Sequence, residues 1–128
     1  MAQAQPSRPF ANLNLKVIDR DYIEPKKMAI FLGISKEELA KILHKTARAV
    51  DSNPEAKDTQ EKLRKLMYLT HLMKKYIQES YIKIWLQTLN EDFGHRTPLS
   101  VLEETSGDED PINSLIHYIE DYSKGAPS

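Results

Sequence analysis

The hydrophobic positions of the chain recur three and four residues apart along most of its length, which is the period of an amphipathic α-helix. The clearest stretch begins near Asp58 and places its inward positions at Leu63, Leu66, Met67, Thr70, Met73 and Ile77. The alternation typical of a β-strand is nearly absent, and only residues 13 to 18 are ambiguous. The pattern therefore predicts an all-α fold of about six or seven helices.

Residues that start helices divide this pattern into elements. Proline suits the first position of a helix, because the N–H group that it lacks would have no partner there. Three pairs have this form: Glu24-Pro25, Thr97-Pro98 and Asp110-Pro111. Ser35 and Glu38 have the spacing of a capping box. We expect a helix to begin after each of these signals.

The remaining segments are shorter or less regular. Residues 47 to 50 support one or two turns before the sequence DSNP breaks the helix. Glu79 opens a helix with Tyr81, Trp85 and Leu89 on one line, and with Ile82 and Leu86 beside that line. A tryptophan at helical spacing most often belongs to the core, so we expect this line to be buried. Residues 1 to 20 are predicted to form a flexible arm.

Charge is divided along the chain. Residues 1 to 90 contain 16 Lys and Arg against 10 Asp and Glu, whereas residues 91 to 128 contain two against nine, which gives the net charge of −1. A basic first part favours a polyanionic partner, and an acidic last part favours a basic one. Helix surfaces can also separate charge in this way without any partner.

No apolar run approaches the roughly 20 residues that span a bilayer. The first ten residues, MAQAQPSRPF, lack the apolar block of a secretory signal. We therefore expect a soluble, cytoplasmic protein that has no membrane partner.

Residues that catalysis would need are scattered. There are no cysteines, which excludes thiol catalysis and cysteine-rich zinc sites. The four histidines form no H-x-x-x-H pair, and no two of the four glycines are close enough for a phosphate-binding loop. We predict that the protein is not an enzyme and has no catalytic residues, no metal site and no cofactor.

Residues 26 to 50 contain a helix-turn-helix pattern in two alternative registers. In the first register Ala29 packs between the helices, Gly33 makes the turn and residues 36 to 43 form the DNA-reading helix. A small residue at the packing position lets a short second helix lie against the first. A small helical core without any DNA contact remains the alternative.

In the second register the helix that follows Ser35 comes first, and Ala40 is the small packing residue. Residues 44 to 46 make the turn, and the reading helix begins at Ala47. A reading helix presents basic and polar side chains to phosphates and base edges. The candidate DNA-binding residues of this register are Lys45, Thr46 and Arg48.

The stretch FGHRTPLSVL, residues 93 to 102, has the composition of an active-site loop but is explained by a joint between helices. Glycine at position 94 suits the positive φ that ends the tryptophan-containing helix, and a Thr-Pro pair starts the next one. The arginine of this stretch is placed to pair with Glu103, Glu104 or a backbone carbonyl. The structural residues of the joint are Trp85, Gly94, Arg96, Thr97 and Pro98.

The order of these features resembles the antitoxins grouped as Xre/MbcA/ParS. Those proteins have a small Xre-like helix-turn-helix part, a long connecting helix and a toxin-binding domain with a characteristic series of short motifs. The matching positions here are Trp85-Leu86, Asn90, Phe93-Gly94, Arg96-Thr97-Pro98-Leu99 and Lys124-Gly125-Ala126. The front matches at LGISKEELAKIL and QEKLRKLMYL, so the resemblance covers roughly residues 22 to 126.

The resemblance implies a helix-turn-helix-like part at residues 21 to 57 and a helical toxin-binding domain at residues 58 to 128. It implies a homodimeric antitoxin that neutralises a RES-domain toxin, a class that consumes NAD, by covering the entrance to the NAD site. It also implies binding to operator DNA. The implied toxin-binding residues are His117, Glu120, Asp121, Lys124, Gly125 and Ala126.

The segment after the predicted turn departs from this family pattern. His44 stands where a glycine is frequent, and the sequence ARAVDSN is less basic than the usual reading helix. Two alternatives therefore stay open: a freestanding helix-turn-helix regulator, and a helical interaction protein that has no toxin.

Overall fold

A computed structural model describes residues 18–19, 22–104 and 110–123, and within these ranges the chain is almost entirely helical. Seven α-helices occur there, so the predicted all-α fold is confirmed. The elements are β1 (Ile18–Asp19), β2 (Tyr22–Ile23), α1 (Pro25–Leu32), α2 (Lys36–Ile42), α3 (Ala47–Ser52), α4 (Lys57–Met73), α5 (Glu79–Leu86), a 3-10 turn (Glu91–Phe93), α6 (Pro98–Leu102) and α7 (Pro111–Ser123).

The two short strands form an antiparallel pair in which Ile18 lies opposite Ile23 and Asp19 opposite Tyr22. Ile18 and Asp19 belong to the segment that the sequence assigns to a flexible arm, and here they are paired. The rest of that arm, residues 1 to 17 and 20, lies outside the described residues.

The first two helices begin and end at the predicted signals. Pro25 is at the first position of α1, and Gly33 ends that helix with a φ of 73°. Ser35 Oγ accepts a hydrogen bond from the Glu38 backbone N–H at 3.0 Å, while a Glu38 carboxylate oxygen accepts one from the Ser35 N–H at 2.9 Å. These reciprocal bonds are the predicted capping box, and they satisfy N–H groups that the helix itself leaves without partners.

Three later helices also have side-chain caps. Thr46 accepts a hydrogen bond from the N–H group of Ala49 at the start of α3, and Thr97 accepts one from Ser100 at the start of α6. Asp110 Oδ1 accepts one from the Ile112 N–H at 3.0 Å at the start of α7. The predicted caps at positions 97 and 110 are therefore confirmed.

The core is centred on α4. The contact between α4 and α7 is more extensive than that between any other two described helices. The inward face of α4 carries the predicted apolar stripe as far as Met73, and Leu63, Leu66, Met67 and Met73 are fully buried. Ile77, the last predicted position, lies after the end of this helix and is half-buried. α7 covers this face with Ile112, Leu115, Ile116 and Ile119. Burial of a large aliphatic side chain contributes on the order of 1.5–3 kcal/mol, so this contact is a major source of stability.

The same core extends through both parts that the sequence separates near residue 57. Gln60 of α4 is buried and accepts a hydrogen bond from the Ile23 N–H at 2.9 Å. Its amide group donates to the carbonyl oxygens of Ile23 and Pro54, each at 2.9 Å. The buried hydrophobic residues of both parts belong to one cluster.

The expectation that Tyr81 and Leu89 are buried beside Trp85 is wrong. Tyr81 is 55% exposed and Leu89 is 66% exposed, whereas Ile82 and Leu86 face the core at 0% and 1%. α5 carries two apolar stripes, and only one of them can face the core. The helix also ends at Leu86, so Leu89 is not part of it.

Candidate functional site

The predicted toxin-binding residues of the last helix form one stripe. His117, Glu120 and Asp121 are three and four residues apart on α7, so they lie on the same side of the helix. His117 and Asp121 are exposed, and Glu120 is half-buried. The Tyr68 hydroxyl of α4 donates a hydrogen bond to the Glu120 carboxylate at 3.2 Å. The other predicted residues, Lys124, Gly125 and Ala126, lie outside the described residues.

The joint between α5 and α6 is a tight backbone turn. The Asn90 N–H donates to the Arg96 carbonyl at 3.0 Å, and the His95 N–H donates to the Asn90 carbonyl at 3.1 Å. Gly94 has a φ of 70°, as predicted, but it ends the 3-10 turn of residues 91–93. The tryptophan-containing helix has already ended at Leu86, so the expectation that Gly94 ends that helix is wrong.

Arg96 connects the joint to the segment that follows α6. Its Nη1 atom lies 3.2 Å from a Glu104 carboxylate oxygen, and its Nε donates to the Phe93 carbonyl at 3.3 Å. These are two of the partners that the sequence suggests. The stretch from residue 93 to residue 102 therefore connects the 3-10 turn to α6 through hydrogen bonds of Arg96 and Thr97.

A pocket that the sequence does not predict lies between the end of α4, α5 and α7. It has a volume of about 180 Å³ and is lined by Met73, Tyr76, Ile77, Trp85, Tyr118, Ile119 and Tyr122. We call it the aromatic pocket. The Tyr76 and Tyr122 rings meet nearly at right angles, at 84°, with their centroids 5.6 Å apart. Four aromatic side chains, from the turn after α4, from α5 and from α7, thus line one cavity.

Phe93 supports the wall of the aromatic pocket from the joint. Its ring lies edge to face against Trp85, with centroids 6.3 Å apart, and against Tyr118 at 4.9 Å. The Tyr118 hydroxyl donates a hydrogen bond to an Asp92 carboxylate oxygen at 2.6 Å. Burial, together with this bond to a carboxylate, raises the pKa of Tyr118 to about 12. Tyr118 therefore stays a protonated donor at neutral pH, and its ring is held in place.

For both helix-turn-helix registers, helices lie where the sequence predicts them. Ala29 and Ala40 are both buried, so each can serve as the small packing residue of a helix pair. Gly33 makes the turn between α1 and α2, and His44 makes the turn between α2 and α3 with a φ of 61°. α3 is six residues long, which is less than two turns.

The three candidate DNA-binding residues differ in their surroundings. Lys45 forms an ion pair with Asp58 at 3.0 Å, and its side chain is 24% exposed. The Thr46 hydroxyl caps α3, whereas Arg48 is exposed on that helix. The hydrogen bond from Lys45 is the main cause that holds the pKa of Asp58 below its ordinary value. Lys36 is likewise paired, with Asp51 at 3.0 Å.

The described residues contain no group of three or more side chains placed to hold a metal ion. Within the same ranges, none of the helices is long and apolar enough to cross a membrane. Comparison of the chain with protein-family models, with curated proteins and with solved structures finds no match.

Proposed function

We propose that this chain is a cytoplasmic, non-enzymatic antitoxin that binds a RES-domain toxin through α7 and the residues after it, and that acts as a homodimer. One observation carries the proposal. The exposed stripe of His117 and Asp121, with Glu120 beside it, lies on the helix that leads directly to residues 124–126. The stripe is the described part of the toxin-binding set that the sequence resemblance implies, and residues 124–126 follow it in the chain.

The charge of the last part of the chain supports this choice of partner. Residues 91 to 128 contain nine carboxylates against two basic side chains. The nucleotide site of a toxin that consumes NAD has to attract phosphate groups, so we expect it to be basic. Opposite charges on two surfaces raise the association rate and the specificity of a complex.

A neutralisation assay tests the proposal. A RES-domain toxin encoded next to this chain would be assayed for NAD consumption with the wild-type chain, with Asp121→Arg and with a form that ends at residue 123. We expect both altered forms to inhibit the toxin less than the wild type, because they remove a carboxylate and the blocking segment.

Glu61→Arg is the matched control, since Glu61 is exposed on α4 outside the α7 stripe. It should inhibit as the wild type does. Full inhibition by both altered forms would place the toxin contact elsewhere, and failure of the wild-type chain to bind or inhibit the toxin would remove the proposal.

Operator binding is the second half of the proposed function, and Arg48 is the side chain that we assign to it. Because Lys45 is engaged by Asp58 at 3.0 Å, we expect Arg48→Ala to weaken binding to the chain's own promoter more than Lys45→Ala. The loss of one phosphate contact should reduce the slope of log affinity against log salt by about one. A gel-shift titration at several salt concentrations measures both quantities.

An interaction protein without DNA binding is the second candidate function, and the ion pairs around α3 favour it. Lys36 and Lys45 are both paired with carboxylates, so the helix pair presents less positive charge than its sequence suggests. If Arg48→Ala leaves DNA retention and its salt dependence unchanged, this second function replaces operator binding.

A further inference from the structure

We propose that the aromatic pocket binds the cationic head group of an arginine or lysine side chain from a basic segment of a partner protein. This inference rests on the pocket itself and does not require the partner to be a RES-domain toxin. It adds a binding site to a surface for which the sequence predicts only core packing.

The walls of the aromatic pocket are rings set at steep angles to one another. Tyr76 and Tyr122 are 45% and 58% exposed, and their rings meet at 84° across the rim. Trp85 and Tyr118 complete the aromatic lining and are half-buried. The negative faces of aromatic rings attract a guanidinium or ammonium group placed among them, and Trp and Tyr are the most effective.

The floor of the pocket suits the alkyl stem of such a side chain. Met73 is fully buried and Ile119 is 5% exposed, so the cavity of about 180 Å³ has an apolar base below its aromatic rim. Arginine and lysine both combine a methylene stem with a charged head, and they bury the stem along apolar surface while the head meets polar groups. One such side chain can therefore satisfy both regions of the pocket.

The electrostatic surroundings favour a cation. The pocket lies where α4 and α7 end, and the carboxyl end of a helix carries partial negative charge. Asp92 accepts a hydrogen bond from Tyr118 in the lining at 2.6 Å, so its carboxylate lies at the wall of the pocket. The positive charge of Lys74 on the α4 side is matched by Glu79 at 3.3 Å.

Lys75, which follows Lys74 in the chain and is exposed, adds one positive charge near the pocket. The carboxylate of Asp92 and the carboxyl ends of two helices act against this charge. A cation is therefore a better match than an anion or a neutral polar group, and the segment that carries it should be basic.

The fluorescence of Trp85 provides a direct test, because it is the only tryptophan in the chain. The full chain would be titrated with N-acetyl-arginine amide and with N-acetyl-citrulline amide, which has nearly the same shape but no charge. We expect a saturable change with arginine and binding at least roughly fivefold weaker with citrulline. Equal binding of the two, or no saturable change with arginine, would overturn the proposal.

Substitutions at the rim test whether the cation binds in the aromatic pocket. Tyr122→Leu should weaken arginine binding by roughly fivefold, whereas Tyr122→Phe should retain it because the ring remains. Tyr81→Leu is the matched control, since Tyr81 is 55% exposed on the helix of Trp85 but does not line the pocket. Unaltered affinity in Tyr122→Leu, or an equal loss in Tyr81→Leu, would show that the cation does not bind in the pocket.

Discussion

Among the described residues, four with positive φ set the direction of the chain at its turns. Gly33 and Gly94 have φ values of 73° and 70°, and His44 and His95 have values of 61° and 62°. Each of them lies at or just after the end of a helical element. An L-residue in this region costs roughly 1–2 kcal/mol relative to the right-handed helix, so glycine is favoured there.

The two glycines form a matched pair for mutation. An added Cβ at Gly33 would come within 2.8 Å of the Lys83 Cγ and Cδ atoms, whereas at Gly94 nothing lies within 4 Å. We expect Gly94→Ala to lower the free energy of unfolding by about 1 kcal/mol through backbone strain alone. Gly33→Ala should cost about 1–3 kcal/mol more, because the stem of Lys83 has to move.

Urea denaturation of both variants measures these costs. An equal loss in the two variants would mean that the Lys83 side chain moves away without cost.

At the scale of elements, α7 is positioned by its first residues as well as by its apolar face. The Lys65 Nζ atom of α4 lies 3.0 Å from Asp110 Oδ2, while Asp110 Oδ1 accepts the Ile112 N–H. Burial alone would raise the pKa of Asp110, but these two hydrogen bonds and the nearby Lys62 hold it below its ordinary value. Asp110 thus acts both as a helix cap and as an ion-pair partner.

Two substitutions separate these roles. Asp110→Asn retains a capping oxygen but removes the charge, and Asp110→Ala removes both. At neutral pH we expect Asp110→Ala to lower the free energy of unfolding by about 1 kcal/mol through loss of the cap. Asp110→Asn should have a smaller effect, because a partly exposed ion pair contributes at most about 1 kcal/mol.

The difference in stability between the wild type and Asp110→Asn should also depend on pH. A carboxyl whose pKa is lower in the folded state stabilises the protein above its unfolded-state pKa, and this contribution is lost as the pH falls through the folded-state value. The advantage of the wild type over Asp110→Asn should therefore begin to shrink near the unfolded-state pKa of about 3.9 and disappear only at lower pH, once the folded-state carboxyl is protonated. Thermal unfolding from pH 7 to pH 2 follows this difference, and an advantage that stays constant would exclude the ion pair as its source.

Local signals explain why most helix starts could be predicted from the sequence and why the aromatic pocket could not. A cap such as Ser35 with Glu38 involves residues three positions apart, so the sequence alone contains the whole interaction. The pocket joins Tyr76 to Tyr122, and no local pattern relates these positions. The choice of buried stripe on α5 is similar, because it depends on how α1 and α6 pack against that helix.

At the scale of the whole molecule, the hydrogen bonds of Gln60 connect the first part of the chain to the helix at its centre. Gln60 is 6% exposed and satisfies both the N–H and the carbonyl of Ile23. A buried polar group that loses its partner costs about 1–3 kcal/mol. The contact therefore makes the stability of residues 22–54 depend on α4.

Gln60→Met tests whether the chain unfolds as one unit. We expect it to lower the free energy of unfolding by about 2 kcal/mol, because Ile23 loses two hydrogen bonds while the volume is nearly kept. Trp85 fluorescence, which reports on α5, should shift to lower urea concentration together with far-UV circular dichroism. A Trp85 transition that stays in place would indicate two independently unfolding parts.

The packing of α7 on α4 also affects the chain while it is being synthesised. The inward face of α4 is complete once Met73 has been synthesised, but its cover includes Ile112 and Ile119, which are made much later. Until those residues leave the ribosome, Leu63, Leu66 and Met67 have no final covering, and exposed apolar surface of this kind attracts chaperones and proteases. A nascent chain that stalls before residue 119 would therefore be a short-lived species, and the number of molecules that reach the folded state would depend on how steadily this segment is translated.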